Sequence, residues 1–368
     1  MNAGQKKRTK VCYVLSYRDP NYIRTQSILN ALQESEIFDV DVVINHHCGF
    51  LRYFDTIWKL LIIKRQRAPD VFIIGFRGHE IYWPVRWIAG ERKIIFDALM
   101  SPYAALYEEK KFGLLGVMMS RIWRGLEASI LEDADVILTD TYLHERYYQK
   151  EFAIQPDKLF SIPVGATAIV SSRPFPPRSG ASNFSVLFYG SFLPLHGVQI
   201  IIDAASSLTD LPIRFDFIGG SSSQARRLHE RCSTRGIKNY TYRDWLPYER
   251  LLTEVIPNAS VCLGGPFGNT RQARRVITGK TSQCLALGKV TIIGRIALAN
   301  GFLDYQNCLL VNQGNPEALA DKIRWCYDNQ NRLADIGEAG KAIYEKELSI
   351  PFIRDRLKMI IKNIEISA

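Results

Sequence analysis

Short apolar runs recur along the whole chain and alternate with amphipathic segments of helical period. Six runs lie in each half, at 11–17, 40–45, 70–76, 93–99, 135–140 and 159–165, then at 185–190, 214–220, 239–245, 260–265, 290–294 and 308–312. An uninterrupted apolar run of this length is typical of a strand buried on both faces of a parallel sheet. The pattern predicts an α/β fold of two successive doubly wound parallel sheets with helices between the strands.

The alternation stops once, in a segment rich in Pro, Ser and Gly at 170–183 (VSSRPFPPRSGASN). A segment of this composition without periodicity is typical of a linker, and 368 residues exceed the usual size of a single core. We therefore predict an N-terminal domain at 1–172, a linker at 173–183 and a C-terminal domain at 184–350. The amphipathic segment 351–368 is expected to form a helix that packs back on the body of the protein.

The distribution of charge points to the second half of the chain. Up to Arg173 there are 23 Lys and Arg against 20 Asp and Glu, and beyond it 24 against 17, so the second half carries +7 of the formal net charge of +10. Such an excess fits nucleic acid, an anionic membrane surface or a phosphorylated small molecule. The seven cysteines form no CxxC pair, which favours reduced thiols in the cytoplasm and no zinc knuckle.

The most basic stretch runs from Gly264 to Lys289 (GGPFGNTRQARRVITGKTSQCLALGK) and contains no acid. Glycines after a strand and cations before a helix suit a diphosphate, with Arg271, Arg275 and Lys280 as candidate ligands. A solvated basic face is the plain alternative, but such faces normally mix signs. A nucleotide-hydrolase P-loop is excluded because the glycine it needs is replaced by Arg274. The stretch also lacks the interleaved aromatics of a nucleic-acid platform.

A second glycine-bearing loop, 189–197 (YGSFLPLHG), lies between an apolar run and a helical segment. Gly190 and Gly197 permit close approach of the backbone to a ligand, and His196 could donate to a phosphate. An ordinary turn with a surface histidine remains the alternative for this loop. In an open parallel sheet, both loops would lie at the carboxyl edge, where ligands bind.

These residues carry a family resemblance. The stretches 185–205, 214–220 and 239–294, above all the block from GGPFG to GKTSQ, resemble the donor half of group 1 (family 4) glycosyltransferases of the GT-B fold, in a bacterial subgroup. Segments 131–166 and 93–106 are similar to the acceptor half. The resemblance implies two Rossmann-like domains facing across a cleft, the first binding the acceptor and the second a nucleotide sugar.

The resemblance also implies an activity. It implies a retaining glycosyltransferase of the hexosyltransferase type that needs no metal and no cofactor and serves envelope or exopolysaccharide synthesis. Positioned cations and helix N-termini would stabilise the departing diphosphate. Ser191 and His196 stand where the family usually has Arg and Lys, and Gln283 replaces the usual ribose-binding glutamate. We still expect the donor to be bound by Gly190, Ser191, His196, Gly197, Arg271, Arg275, Lys280 and Gln283.

Candidate acceptor-side residues follow two strands of the first half. His79 and Asp97 each come after an apolar run, and we predict both as catalytic residues that contact substrate, although a lone His or Asp at this place is as often a turn former. We expect Trp245 to be a packed aromatic, and a place near the nucleotide base is the alternative. Asp133 and Asp135 match the DxD motif, but both precede their strand. We therefore predict that they are turn residues and not metal ligands.

Two segments combine aromatic and aliphatic residues with cations, 50–67 (FLRYFDTIWKLLIIKRQR) and 110–126 (KKFGLLGVMMSRIWRGL). Such amphipathic helices can lie on anionic lipid, or can be ordinary core-facing helices with a basic outer side. The sequence thus predicts a cytoplasmic protein with a nucleotide-sugar donor, a glycan or lipid-linked acceptor and no nucleic acid. Peripheral contact with an anionic membrane, at the inner face of the plasma membrane, stays open, as do a sugar-nucleotide epimerase and a non-catalytic nucleotide-sugar-binding partner.

Overall fold

A computed structural model describes residues 8–17, 19–108, 113–166, 184–296 and 301–366. The chain divides into two compact units, one made of Met1–Val164 with Ile350–Ala368 and the other of Gly165–Ser349. The predicted linker at 173–183 lies outside the described residues. Each of the twelve apolar runs contains a strand, so the α/β prediction of two parallel sheets is confirmed.

The first unit is built on a six-stranded parallel sheet of order β2-β1-β3-β4-β5-β6. Its strands are β1 (Thr9–Leu15), β2 (Phe38–Ile44), β3 (Val71–Ile74), β4 (Lys93–Asp97), β5 (Val136–Thr139) and β6 (Leu159–Ser161). The helices between them are α1 (Ile23–Gln33), α2 (Leu51–Arg67), α3 (Tyr82–Ala89), α4 (Pro102–Tyr107), α5 (Gly113–Asp133) and α6 (Tyr142–Phe152). A short 3-10 helix, Gly78–Ile81, joins β3 to α3.

The second unit repeats this plan with the order β12-β11-β10-β7-β8-β9. Its strands are β7 (Phe184–Gly190), β8 (Ile213–Gly219), β9 (Tyr240–Arg243), β10 (Val261–Gly265), β11 (Thr291–Gly294) and β12 (Leu309–Val311). Its helices are α7 (Val198–Ser206), α8 (Ser222–Thr234), α9 (Tyr248–Arg250), α10 (Ile256–Asn258), α11 (Gly279–Ala286), α12 (Pro316–Asp328) and α13 (Leu333–Glu347). The last helix of the chain, α14 (Ile350–Ile366), belongs to the first unit.

Two hydrophobic cores cover the two faces of the first sheet. One face packs against α1 and α14, where Ile353, Leu357 and Ile360 of α14 are fully buried. The opposite face packs against α2, α3, α5 and α6. The helix at the C-terminus therefore closes the sheet of the first unit, because its apolar stripe covers a face that α1 alone leaves partly open.

The strand order fixes where each sheet can bind a ligand. In the second unit β7 lies between β10 and β8, so the chain leaves β7 toward one edge and returns at β10 on its other side. The carboxyl ends of β7 and β10 therefore form the topological switch point, where backbone loops diverge and open a crevice. In the first unit the equivalent point lies between β1 and β3.

Across the described parts of the chain, the helices are either too short or too polar to cross a bilayer.

Candidate functional site

The two glycine-bearing loops of the second unit are joined through their backbones. Gly268 donates its N–H to the carbonyl of Leu195 at 2.9 Å. A Cβ added to Gly197 would lie 2.4 Å from the nitrogen of Gly268, and one added to Gly268 would lie 2.1 Å from the carbonyl oxygen of Pro194. Only glycine allows this approach, so both glycines serve to bring the loop after β7 against the loop after β10.

Gly190, His196 and Lys280 meet at the end of β7. A Cβ added to Gly190 would lie 3.3 Å from Nζ of Lys280 and 3.5 Å from Nδ1 of His196. Nζ of Lys280 also lies 5.5 Å from the centre of the Phe188 ring, a cation–π distance. Three residues that the sequence predicted as donor ligands are thus brought together around one backbone position.

This cluster is buried and carries an uncompensated cation. Burial lowers the pKa of Lys280 to about 7, and no carboxylate forms an ion pair with it in the described part of the chain. Burial, with the nearby charge of Lys280, also lowers the pKa of His196 well below its usual value, so the ring is neutral. Nδ1 of His196 has no hydrogen-bond partner among the described residues. A buried ammonium beside a free ring nitrogen is suited to an anion.

The N-terminus of α11 adds backbone donors to the same place. Lys280 is its second residue. The hydroxyl of Thr278, at the N-cap, donates to the carbonyl of Gly264 at 2.6 Å instead of capping a helical N–H. The first amides of the helix therefore lack a side-chain cap, and the partial positive charge of the helix adds to that of Lys280.

The two candidate arginines differ in environment. Arg275 is 9% exposed and follows the 3-10 helix Gln272–Arg274, whereas Arg271 is exposed. Arg274, between them, is held by Oδ1 of Asn269 at 2.9 Å. Ser191 is exposed next to Gly190. The contacts of Arg271 and Ser191 with a donor remain predictions.

Gln283 is held at both ends of its amide. Its Oε1 accepts from the hydroxyl of Tyr189 at 2.7 Å, and its Nε2 donates to the hydroxyl of Tyr248 at 3.0 Å. Neither tyrosine was among the residues predicted from the sequence. Tyr189 directly precedes Gly190 at the end of β7, and this position next to a predicted ligand was a signal for it, but no pattern pointed to Tyr248.

Trp245 is not packed in the core, since 56% of its surface is exposed. Its ring lies on Gly219, where an added Cβ would be 3.1 Å from the indole Cε2. The same Cβ would be 2.5 Å from the carbonyl oxygen of Gly190. The prediction of a packed aromatic is therefore wrong. Gly219 has no side chain, so the indole lies against its backbone at the carboxyl edge of the sheet and stays exposed to solvent.

A cavity of about 550 Å³ lies beside the joined loops, between α7 and α8. Its lining includes Phe192, Leu193, Val198, Arg227, Arg231 and Asn269, but neither Lys280 nor Gln283. The cavity thus adjoins the joined loops through Gly197 and Gly268, but the buried Lys280 does not line it.

In the first unit, His79 lies in the 3-10 helix after β3 and is 4% exposed. Its Nε2 has no hydrogen-bond partner among the described residues, and its ring meets the edge of Phe96 at 4.9 Å. Burial, assisted by the charge of Arg77, lowers the pKa of His79 to about 3. His79 is therefore a neutral imidazole with one nitrogen available.

Asp97 has a partner that the sequence did not suggest. Its carboxylate accepts from Nη2 of Arg24 at 2.9 Å and from Nε at 3.2 Å, and both side chains are fully buried. Arg24 also donates to the carbonyls of Thr139 and Pro163, each at 3.2 Å. This arrangement ties α1 to the ends of β4 and β5 and the chain after β6, so Asp97 has a structural function whether or not it contacts substrate.

The two acids of the DxD motif, Asp133 and Asp135, are also bonded to protein groups. Oδ2 of Asp135 accepts from the N–H of Ile94 at 2.8 Å, and Asp133 accepts from the hydroxyl of Tyr82 at 2.6 Å. Both acids precede β5, at the amino end of the strand. In the described residues no group of three or more His, Cys, Asp or Glu side chains could hold a metal ion.

A buried pair that was not predicted from the sequence, Asp140 and His144, follows β5. Nδ1 of His144 lies 2.8 Å from Oδ1 of Asp140, and both residues are buried. The spacing of four residues at the start of a helix was a signal that could have revealed it.

Comparisons with known proteins agree with this architecture. HepE of Anabaena, solved in complex with UDP and glucose, has a TM-score of 0.73 at 13% identity, covering 97% of this chain and 100% of that one. Sucrose-phosphate synthase of Thermosynechococcus elongatus has a TM-score of 0.74 at 15% identity, covering 98% of this chain and 100% of that one. The fold is therefore GT-B, as the resemblance implied.

Sequence comparisons match part of the chain to glycosyltransferases. Residues 183–329 match the family described as Glycosyl transferases group 1. A stretch of 172 residues is 28% identical to an uncharacterized glycosyltransferase of Methanocaldococcus jannaschii, covering 46% of this chain but only 45% of that relative. The resemblance to group 1 glycosyltransferases is confirmed, and the matching residues 183–329 lie in the second unit.

Proposed function

We propose that this protein is a retaining glycosyltransferase that moves a sugar from a nucleotide-diphosphate donor to a glycan or lipid-linked acceptor. One observation carries the proposal: the ammonium of Lys280 is buried beside Gly190 and His196 at the switch point of the second sheet, and no acid among the described residues pairs with it. A buried cation without a partner is costly, so its retention is best explained by an anionic ligand.

The chemistry follows from the charge that develops during transfer. As the bond between the anomeric carbon and the diphosphate breaks, negative charge accumulates on the leaving oxygen. Lys280, the N-terminal amides of α11 and His196 would hold that charge in a buried site, where each interaction is stronger than in water. Arg271 and Arg275 are assigned to the same diphosphate, and Gln283 to the ribose.

The nucleotide is proposed to be UDP, because HepE was solved with UDP and glucose and shares the fold. Trp245 has an exposed indole that lies against Gly219, and this indole is proposed to stack on the base. Retention at the anomeric carbon, a hexosyl group, independence of metal and a role in envelope or exopolysaccharide synthesis belong to the same proposal.

On the acceptor side, His79 is proposed to contact the acceptor through its free Nε2. Because its pKa is lowered to about 3, His79 is a weak base, and its role would be to orient an acceptor hydroxyl by a hydrogen bond. Asp97 is proposed to position this edge of the sheet through Arg24, in addition to the predicted contact with substrate.

The test begins with donor binding. The thermal midpoint of the full chain is measured with UDP, GDP and their hexose conjugates, because a ligand that binds the folded state must raise its stability. The donor that binds is then incubated with membrane lipid extract or oligosaccharides, with and without EDTA, and the anomeric configuration of the product is read by NMR.

Transfer with retention in EDTA supports the proposal. Conversion of the nucleotide sugar to its epimer without acceptor would assign an epimerase instead. Binding without turnover against any acceptor would assign a nucleotide-sugar-binding partner.

A further inference from the structure

The outer surface of the α2–α3–α5 layer in the first unit is unusually apolar. These helices pack on one face of the sheet, yet each also turns large apolar side chains to solvent. The exposed side chains are Phe50, Leu51, Phe54, Trp58, Leu61 and Ile62 at α2, Trp83 and Trp87 on α3, and Leu114, Leu115, Met118, Met119 and Ile122 on α5. We refer to these residues as the apolar face.

These side chains cannot be explained as core residues. A helix on a globular surface normally has one apolar stripe, directed to the core. In α2 that stripe includes the buried Leu60, while Phe54, Trp58 and Leu61 form a second stripe at helical spacing on the solvent side. Trp87 is 89% exposed and Leu114 is 86% exposed, so neither contributes to folding by burial. Patches of this kind mark interaction sites.

The three helices are neighbours. Helix α2 packs against α3. The hydroxyl of Tyr82, at the start of α3, donates to Asp133 at the end of α5. Each helix leads from the carboxyl end of one parallel strand toward the amino end of the next, so the three helices run in the same general direction over one face of the sheet.

The cations of this layer indicate what the apolar face binds. Lys64 and Arg65 on α2 and Arg121 on α5 are exposed and form no ion pair among the described residues. The only acid of α2, Asp55, is already bound by Lys59 at 2.8 Å, and α3 has no acid. Exposed tryptophans beside unpaired cations are the composition of a helix that lies in the interface of an anionic bilayer.

We propose that the apolar face docks on an anionic lipid bilayer, with Trp58, Trp87 and the start of α5 entering the headgroup region and the cations contacting lipid phosphates. A second copy of this chain fits less well. In a two-fold contact the same surface meets itself, so the unpaired cations of both copies would lie close together. The proposal concerns the first unit alone and is independent of the transfer reaction.

The experiment is co-flotation of the full chain with vesicles of phosphatidylcholine alone or mixed with phosphatidylglycerol. We expect the protein to float with the anionic vesicles only. The double variant Trp58→Ser, Trp87→Ser should bind them about tenfold or more weakly, because two indoles leave the interface. The variant Lys64→Glu, Arg65→Glu should lose binding and the native protein should lose it in high salt.

Met359→Ser is the matched control, because Met359 is 44% exposed on α14, at the opposite face of the same sheet, and its loss should not change flotation. Circular dichroism melts establish that each variant is folded. The proposal is overturned if the native protein stays unbound with anionic vesicles, or if the double tryptophan variant floats like the native protein. It is equally overturned if light scattering finds a dimer that the tryptophan substitutions dissociate.

Discussion

The N–H of Gly268 donates to the carbonyl of Leu195 at 2.9 Å, so the loop that follows β10 is fastened to the loop that follows β7. This bond and the close approach of Gly197 hold the two loops at the switch point of the second sheet. The cationic cluster depends on this junction, because His196 lies in one loop and Lys280 follows the other.

Gly197→Ala tests the junction. Gly197 has φ +70, and an added Cβ would lie 2.4 Å from the nitrogen of Gly268. We expect a loss of about 3 kcal/mol in the free energy of unfolding, from left-handed backbone strain and the clash together. The control is Gly236→Ala, because Gly236 has φ +69 and open space around it. It should lose only about 1 kcal/mol in the same urea titration. Equal losses would show that the loops do not constrain each other.

Lys280→Ala tests stabilisation of the leaving group. Removing the buried ammonium should lower kcat/KM by ~10²- to 10³-fold, as for the loss of one donor to a developing anion. Lys289→Ala is the control in the same acid-free stretch, because Lys289 donates to the carbonyl of Pro257 at 3.1 Å and lies outside the cluster. Transfer at the native rate by Lys280→Ala would contradict the proposed function.

The pKa of Lys280 predicts how donor affinity depends on pH. Burial lowers this pKa to about 7, and only the ammonium form attracts a diphosphate. The dissociation constant of the donor should therefore rise with pH above about 7, by up to about tenfold per pH unit. Calorimetric titration from pH 6 to 9 measures it, with Lys280→Arg as the control that stays charged and gives a flat profile.

The lowered pKa of Lys280 also makes the free energy of unfolding depend on pH. Between the folded pKa of about 7 and the ordinary value of 10.5, the unfolded chain binds the additional proton at Lys280. This residue therefore makes the free energy of unfolding increase as pH rises through that window. Lys280→Met should remove that part of the increase, and an unchanged slope would contradict the depressed pKa.

Asp97→Asn tests the buried ion pair of the first unit. The substitution keeps the size of the side chain but leaves the guanidinium of Arg24 buried without its counter-charge. We expect a loss of about 3 kcal/mol or more in the free energy of unfolding by urea titration. The exposed pair of Arg250 and Glu254 gives the control, since Glu254→Gln should change stability little. A variant as stable as the native protein would refute the structural function of Asp97.

His79→Phe should separate stability from activity. The Nε2 of His79 is buried and has no partner in the part of the chain that the structure describes. Removing it should therefore keep or raise the melting temperature, by the equivalent of about 1 kcal/mol, while acceptor turnover falls. His144→Phe is the opposite case, because that ring is bonded to Asp140 at 2.8 Å and its loss should destabilise the protein. If the folded His79→Phe protein used the acceptor with native kinetics, His79 would not be a residue of the acceptor site.

The sequence determined the twelve strands, the parallel sheets and the stretch that contains Lys280, because uninterrupted apolar runs and unbalanced charge are local properties of the chain. It also indicated that the DxD acids precede their strand, since that order is visible in the chain.

Only the tertiary structure decided which residues meet. Arg24 reaches Asp97 across 73 positions, and Tyr189 reaches Gln283 across 94, so no local pattern could pair them. The exposure of Trp83, Trp87 and Trp245 likewise depends on which faces the neighbouring elements cover. Contacts between distant segments are set by the strand order of the sheet, and that order comes from packing the whole unit and not from the pattern of any one segment.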